Sequence, residues 1–191
     1  MAVADSQTKI YRCINNHSFD VAREGYLNLH LAQHKRSKSP GDSEPMIKSR
    51  QRFLNGGYYQ PLADAISNTI NNCPLSFEQT LLDIGCGEGY YLQQLRNIAE
   101  RSNANLELLG LDVSKAGVRL AAKRKLNALL VVDSAYKIPL FDHSVDTVLS
   151  VFSPISPDET ARVLKTDGYL IMVGPGEEHL TGLTAHIYEQ H

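Results

Sequence analysis

Tryptophan is absent from this 191-residue chain, and cysteine occurs only three times. No run of about 18 apolar residues is present, which excludes a membrane-spanning helix of ordinary length. The N-terminal stretch MAVADSQTKIYRC has no apolar core of the kind a secretory signal needs. Cys13, Cys73 and Cys86 are odd in number and scattered, so a disulfide framework is excluded and a reducing, cytoplasmic setting is expected. A large excess of one charge is also missing: 19 Lys and Arg face 21 Asp and Glu, a net charge of −2. With 42% hydrophobic residues the chain is no disordered polyelectrolyte. Its length suits one domain with at most a short appendage.

The balanced total hides an uneven distribution. Residues 1–60 carry nine Lys/Arg against five Asp/Glu, a balance of +4, and residues 61–191 carry ten against sixteen, a balance of −6. A basic front on an acidic body is compatible with docking on a phosphate backbone.

Residues 1–57 are polar and punctuated by turn signals, Ser39-Pro40-Gly41-Asp42 and Asn55-Gly56-Gly57. They read as an N-terminal appendage that adds no layer to the core, leaving 58–191 as the main domain. Residues 59–70, with Leu62, Ala63, Ile66 and Ile70 at helical spacing, predict an amphipathic helix. Beyond residue 80, short apolar runs alternate with helix-forming segments. Strands are expected at 81–84, 106–111, 128–132, 145–151 and 169–173, and helices at 90–102, 115–126 and 158–165. Near-continuous apolar strands separated by helices imply an α/β fold: a mostly parallel sheet covered on both faces, with its ligand crevice beyond the carboxyl ends of the strands.

The strongest local signal is Asp83-Ile84-Gly85-Cys86-Gly87-Glu88-Gly89-Tyr90, a strand, a glycine-rich turn and a helix start. Glycines let the turn bend sharply and leave no Cβ against a ligand lying across it. A dinucleotide fingerprint requires G-x-G-x-x-G, and here the third glycine comes one residue early. Asp83 can accept from the turn's own amides or from a cationic ligand group. Asp112, at the end of Leu109-Gly110-Leu111, can take both hydroxyls of a ribose, a device an NAD enzyme shares. Asp133 follows the third strand and can accept from an adenine amino group. Each of these carboxylates could singly be a cap or loop residue. Together with the D-x-G-x-G-x-G pattern they resemble the cofactor loop of the Rossmann-like class I S-adenosyl-L-methionine (SAM) methyltransferases.

Longer words narrow the resemblance. Glu24-Gly25-Tyr26-Leu27-Asn28-Leu29, Gln33-His34-Lys35-Arg36-Ser37, Pro40-Gly41-Asp42-Ser43, Gly57-Tyr58-Tyr59-Gln60-Pro61-Leu62, Gly110-Leu111-Asp112-Val113-Ser114-Lys115, Ala161-Arg162-Val163 and Gly174-Pro175-Gly176 with His179-Leu180 are similar to the bacterial 23S rRNA (guanine-N1)-methyltransferases. The resemblance runs from residue 11 to the end. It implies a SAM-dependent enzyme that methylates N1 of a guanine in a hairpin of large-subunit ribosomal RNA. It further implies that Tyr59, Gly87, Glu88 and His179 contact the cofactor, beside Asp83, Gly85 and Asp112 from the pattern itself.

The same family carries an N-terminal zinc module with a C-x-x-C pair followed by C-x3-H. Cys13-Ile14-Asn15-Asn16-His17 reproduces the second half, and no cysteine precedes Cys13. Structural zinc takes four ligands, so Cys13 and His17 are half a metal site, and the resemblance would put the missing pair upstream of Met1. At the other end the chain stops where the family continues with an antiparallel pair, so a sheet with an unfinished edge is expected.

N1 lies on the Watson–Crick edge, so the guanine must be unpaired or extruded to be reached. Lys35, Arg36, Lys38, Lys48, Arg50 and Arg52 form a basic stretch that could grip an RNA hairpin or be a solvated surface. Phe152, in Val151-Phe152-Ser153-Pro154-Ile155 after the fourth strand, is either a stacking partner for the base or a core residue. Asp158 and Glu159 read as carboxylates at a helix start. No residue is singled out as a catalytic base. Rival readings are a SAM methyltransferase for a small molecule and an inactive SAM- or RNA-binding fragment. Partners expected are a 23S rRNA hairpin and, as a candidate, a second copy of the chain, with neither DNA nor membrane.

Overall fold

The computed structural model describes residues 3–5, 10–12, 17–30, 41–73, 78–179 and 181–182. The elements in chain order are β1 (Val3–Asp5), β2 (Ile10–Arg12), β3 (Ser18–Asp20), β4 (Leu27–Asn28), α1 (Glu44–Asn55), α2 (Gln60–Asn72), β5 (Glu78–Ile84), α3 (Tyr90–Ser102), β6 (Asn105–Asp112), α4 (Lys115–Lys123), β7 (Ala128–Val132), β8 (Val145–Val151), α5 (Pro157–Val163) and β9 (Leu164–Val173).

Strands β4 to β9 form one sheet in the order β4-β7-β6-β5-β8-β9, and every neighbouring pair runs parallel. The order reverses at β5, between β6 on one side and β8 on the other. That switch point opens a crevice at the carboxyl ends of β5 and β8. The sheet's strands are apolar because both of their faces are covered. Leu81, Leu108, Leu130 and Leu149 pack with α2, α3 and α4 residues such as Ile66, Leu92 and Val118. Leu82, Leu109, Val131 and Val148 pack on the opposite side with Ile138 and Val163.

The helices follow their apolar spacing and caps. Tyr90, Leu92, Leu95 and Ala99 are the buried stripe of α3, which ends at Asn103 in the left-handed region. Ser114 caps α4 by accepting from Gly117 N, and Ser156 caps α5 by accepting from Glu159 N. Helix α4 stops at Lys123, earlier than the expected 126, because Lys125 turns to a φ of 55°. Helix α5 stops at Val163 because β9 begins there.

The expectation that residues 1–57 stay outside the core fails for two pieces. Leu27 and Asn28 pair with Val131 and Val132, so β4 is the edge strand of the main sheet. Helix α1 packs on α3 and α4 and buries Ile47 and Leu54. A two-residue strand shows no alternation, and its place is set by the open edge of β7 that it covers. Strands β1, β2 and β3 make a separate antiparallel meander, with Tyr11 and Phe19 half-buried against the main core. At the opposite edge β9 pairs with β8 and, among the described residues, with no further strand. Leu170 and Met172 are exposed on it.

Candidate functional site

The glycine turn after β5 is held by main-chain bonds across the sheet's end. Gly85 N and Cys86 N both donate to Leu111 O, at 2.7 and 3.1 Å, and Gly87 N donates to the Asp112 carboxylate at 2.8 Å. Gly85 has φ 76° and Gly87 has φ 54°, left-handed values that favour glycine. At Gly85 space is also decisive, since a Cβ there would lie 2.0 Å from Ser153 Oγ. At Gly87 a Cβ would meet no protein atom within 4 Å, so that side of the turn faces open room.

Since the turn's amides go to Leu111 and Asp112, Asp83 is left without them. Its Oδ2 is buried and has no hydrogen-bond partner among the described residues. Burial first, and the neighbouring Asp112 carboxylate second, push its carboxyl up to about 8. Below that pH the ligand-free carboxyl keeps its proton, and a cation placed beside it would favour the ionised form. Asp112 uses both oxygens on the chain: Oδ2 accepts from Gly87 N and Oδ1 from Ser114 N at 2.6 Å. Burial raises its carboxyl, and these two amides oppose the rise. Each oxygen keeps a second lone pair with which to accept a hydroxyl.

Glu88 is 1% exposed and forms a buried ion pair with Arg124, whose Nε also donates to the Glu88 carbonyl at 2.8 Å. Gln51 donates to the same Glu88 carboxylate at 3.1 Å, and Arg124 reaches Asn55 at 3.1 Å and Gln93. The glycine turn is thereby tied to α1, α3 and the end of α4. Among the described residues Glu88 Oε1 has no partner.

A cavity of about 500 Å³ opens over the turn, lined by Ser49, Arg50 and Phe53 from α1, by Tyr59, by Gly85 to Glu88, and by Tyr90, Tyr91, Phe152 and His179. Its size suits a small organic ligand. Tyr59, Gly85, Gly87, Glu88 and His179, the residues singled out in the sequence, converge on this one cavity. Asp83 and Asp112 do not line it, and Asp112 reaches it through its bond from Gly87 N. A larger depression of about 850 Å³, with Glu78, Arg96, Glu107 and Lys125, lies at the amino ends of β5 to β7, the end of a parallel sheet that ligands do not ordinarily use.

Phe152 is half-exposed and lines the cavity, so the core alternative is excluded. Its φ is 53°, a left-handed conformation uncommon for a bulky side chain. Its ring stands edge-on to Tyr59 at 6.2 Å and near-parallel to His179 at 6.1 Å. Tyr59 in turn meets Phe53 edge-on at 5.7 Å.

Other candidates sit elsewhere. Asp133 Oδ1 accepts from Ser134 N at 2.8 Å and lies 3.4 Å from His30 Nδ1, facing the segment after β4. Glu159 accepts from Ile138 N at 2.7 Å and from Arg162, whose hydrogen bonds hold its carboxyl below the usual range. Asp158 lies beside it in the first turn of α5. Lys48 pairs with Glu44 and Arg50 with Asp42 on or near α1. Lys35, Arg36, Lys38 and Cys13 lie outside the described residues. His17 is exposed just ahead of β3. Among the described residues no cluster of three or more His, Cys, Asp or Glu is placed to hold a metal. Sequence reasoning misses the α1 wall and Arg124. Ser43-Glu44-Pro45, a cap residue with proline in the first turn, is the signal for the helix.

Two family models match the chain. Residues 81–168 match a methyltransferase domain, and residues 3–38 match the zinc ribbon described as "RlmA, N-terminal". The chain is 34% identical over 180 residues to the 23S rRNA (guanine(748)-N(1))-methyltransferase of Streptomyces fradiae, covering 93% of this chain and 62% of that protein. It is 34% identical over 174 residues to a candidate 23S rRNA (guanine-N(1)-)-methyltransferase of Bacillus subtilis, covering 90% of this chain and 60% of that one. It thus spans about three fifths of the length of these curated relatives. Among solved structures, a candidate SAM-dependent methyltransferase of Methanococcus maripaludis matches 80% of this chain and 74% of its own, with TM-score 0.58 and 22% identity. A SAM-dependent methyltransferase of Aquifex aeolicus matches 69% and 72%, with TM-score 0.55 and 24% identity. These two likenesses establish the class I methyltransferase fold.

Proposed function

From the likeness to the 23S rRNA (guanine-N1)-methyltransferases and from the cavity together, we propose that the chain belongs to that family and transfers a methyl group from SAM to N1 of a guanine in a 23S rRNA hairpin. The observation that carries the cofactor half is the orphaned, buried Asp83 oxygen under the glycine turn. The residues fit SAM: Asp83 for a cationic group, the open face of the turn at Gly87 for the amino-acid portion, and Asp112 for a ribose hydroxyl. Tyr59 and His179 close the cavity from the other side.

When bound, SAM supplies an electrophilic methyl on a sulfonium. The protein's part is to position and desolvate the acceptor. Phe152, Tyr59 and His179 present aromatic faces and edges between which a planar base can be held over the turn. N1 must lose its proton as the methyl arrives. The one carboxylate lining the cavity, Glu88, is engaged by Arg124 and Gln51, which leaves water and the His179 imidazole as acceptors among the described lining groups.

The basic segment within 1–57 is assigned to the hairpin backbone, and α1 carries Arg50 from that segment to the cavity wall, with Arg52 donating to Ser49 nearby. Cys13 and His17 would supply two of the four ligands of a ribbon zinc. The cytoplasmic setting belongs to the same reading, and among the described residues no helix is long and apolar enough to cross a membrane.

The deciding experiment incubates the protein with labelled SAM and unmodified 23S rRNA and maps the label. N1-methylguanosine in a hairpin is the expected result. SAM binding without transfer to RNA would replace it with the fragment reading, and transfer to small molecules alone would replace it with the other.

A further inference from the structure

The aromatic wall continues outward from Phe53, which lines the cavity, to Tyr58, which does not. Phe53 and Tyr58 stack with ring centroids 4.9 Å apart and an interplanar angle of 17°. Phe53 is 50% exposed and Tyr58 71% exposed, the largest exposure among the large apolar and aromatic side chains described. Two solvent-facing rings stacked on each other contribute little to a core.

The pair is a built feature. Tyr58 lies across the backbone of Gly56, where a Cβ would come 2.8 Å from its ring. Glycine at 56 has an ordinary helical φ of −71°, so a side chain there would crowd the Tyr58 ring and the Phe53 carbonyl oxygen rather than strain the backbone. Phe53 in turn leads edge-on to Tyr59 and from there to Phe152 inside the cavity. Surface and cavity are joined by one aromatic track.

Charge accompanies the track. Arg52 sits next to Phe53 on α1, and its guanidinium donates to Ser49 Oγ at 3.0 Å. Among the described residues it has no carboxylate partner, unlike Lys48 and Arg50. Exposed rings beside an uncommitted guanidinium are the elements with which proteins hold single-stranded nucleic acid: the rings take bases and the cation takes phosphate.

We propose that Phe53 and Tyr58 form a stacking platform for a second unpaired nucleobase of the RNA, a neighbour of the methylated guanine, with Arg52 directed at the intervening phosphate. This rests on the RNA reading given above and adds to it a second base site. The outward position explains how a guanine held at Phe152 can stay extruded, because its neighbour is held open as well.

The test measures the affinity and methylation kinetics of the protein with a hairpin substrate, and with the same hairpin made abasic at each nucleotide flanking the target. Tyr58→Ala should raise the RNA KM about tenfold and leave SAM affinity unchanged, and Tyr58→Phe should restore it, since stacking needs the ring and not the hydroxyl. Gly56→Ala, which keeps both rings and displaces one, should reproduce the loss. On the hairpin abasic at the platform nucleotide, wild type and Tyr58→Ala should become equal. Methylation at N1 with Tyr58→Ala equal to wild type on the intact hairpin would overturn the platform alone. So would an equal loss on every abasic hairpin, which points to a protein partner or to a structural role. No methylation of any guanine by the wild-type protein would overturn the RNA reading, and the platform with it.

Discussion

Gly85 and Ser153 meet face to face at the point where the strand order of the sheet reverses, with the space for a Cβ at Gly85 already filled by the Ser153 side chain. Two loops from strands more than sixty residues apart in sequence therefore close the crevice floor together. The contact makes the glycine turn depend on the segment that carries Phe152.

Gly85→Ala should lower stability by about 1–3 kcal/mol and abolish measurable SAM binding, from the positive φ and the clash acting together. Adding Ser153→Gly removes the clash and leaves the φ penalty. The double variant is therefore expected to recover part of the thermal stability, and a double variant no more stable than the single one would contradict this account.

The pair of Glu88 and Arg124 yields a second expectation. Removing one partner of a buried ion pair costs about 3–5 kcal/mol because the other charge is stranded. Arg124→Ala should show a loss of that size in denaturant unfolding and should weaken SAM binding, although Arg124 is absent from the cavity wall. A loss below about 1 kcal/mol would mean that Glu88 is stabilised some other way.

Asp83 sets a pH dependence. Its folded value of about 8 lies above the unfolded value of about 3.9. Between the two the native state keeps a proton that the unfolded chain has released, so the ligand-free protein loses stability as pH rises through this window. One proton limits the slope to about 1.4 kcal/mol per pH unit. Asp83→Asn should flatten it. A cationic ligand favours the ionised form, so SAM affinity should rise with pH up to about 8. Calorimetry in buffers of different ionisation heat should register proton release on binding at pH 7.

Phe152 combines a strained backbone with a place on the cavity wall. Phe152→Gly should keep stability within about 1 kcal/mol of wild type, because relief of the left-handed strain offsets the added chain entropy. Transfer to RNA should nevertheless fall at least about tenfold. Unfolding curves and kcat/KM measured together check both halves.

Charge reversal at Lys35 and Arg36 should weaken RNA binding and reduce the slope of log affinity against log salt, by about one for each phosphate the protein no longer neutralises. SAM affinity should not change. Equal RNA affinity and an equal salt slope in the variant would exclude this pair from the RNA interface.

By itself the sequence determined the local and periodic features. Helix α3 at 90–102 and strands β7 at 128–132 and β8 at 145–151 coincide with the expected ranges, because apolar runs covered on both faces and a helix's buried stripe are written in consecutive residues. The turn from Asp83 to Tyr90 was legible for the same reason. Tertiary structure decided whatever depends on partners far along the chain. Leu27 and Asn28 become a strand only against β7. Glu88, at the mouth of the turn, spends its carboxylate on Arg124, 36 residues away. Asp133 turns toward His30 instead of the cavity. Phe152 could be read as core or as cavity wall until its backbone, at a positive φ just after β8, set its ring beside Tyr59 and His179. Composition carries residue types and spacing, but the direction in which a side chain points is set by the elements that close around it.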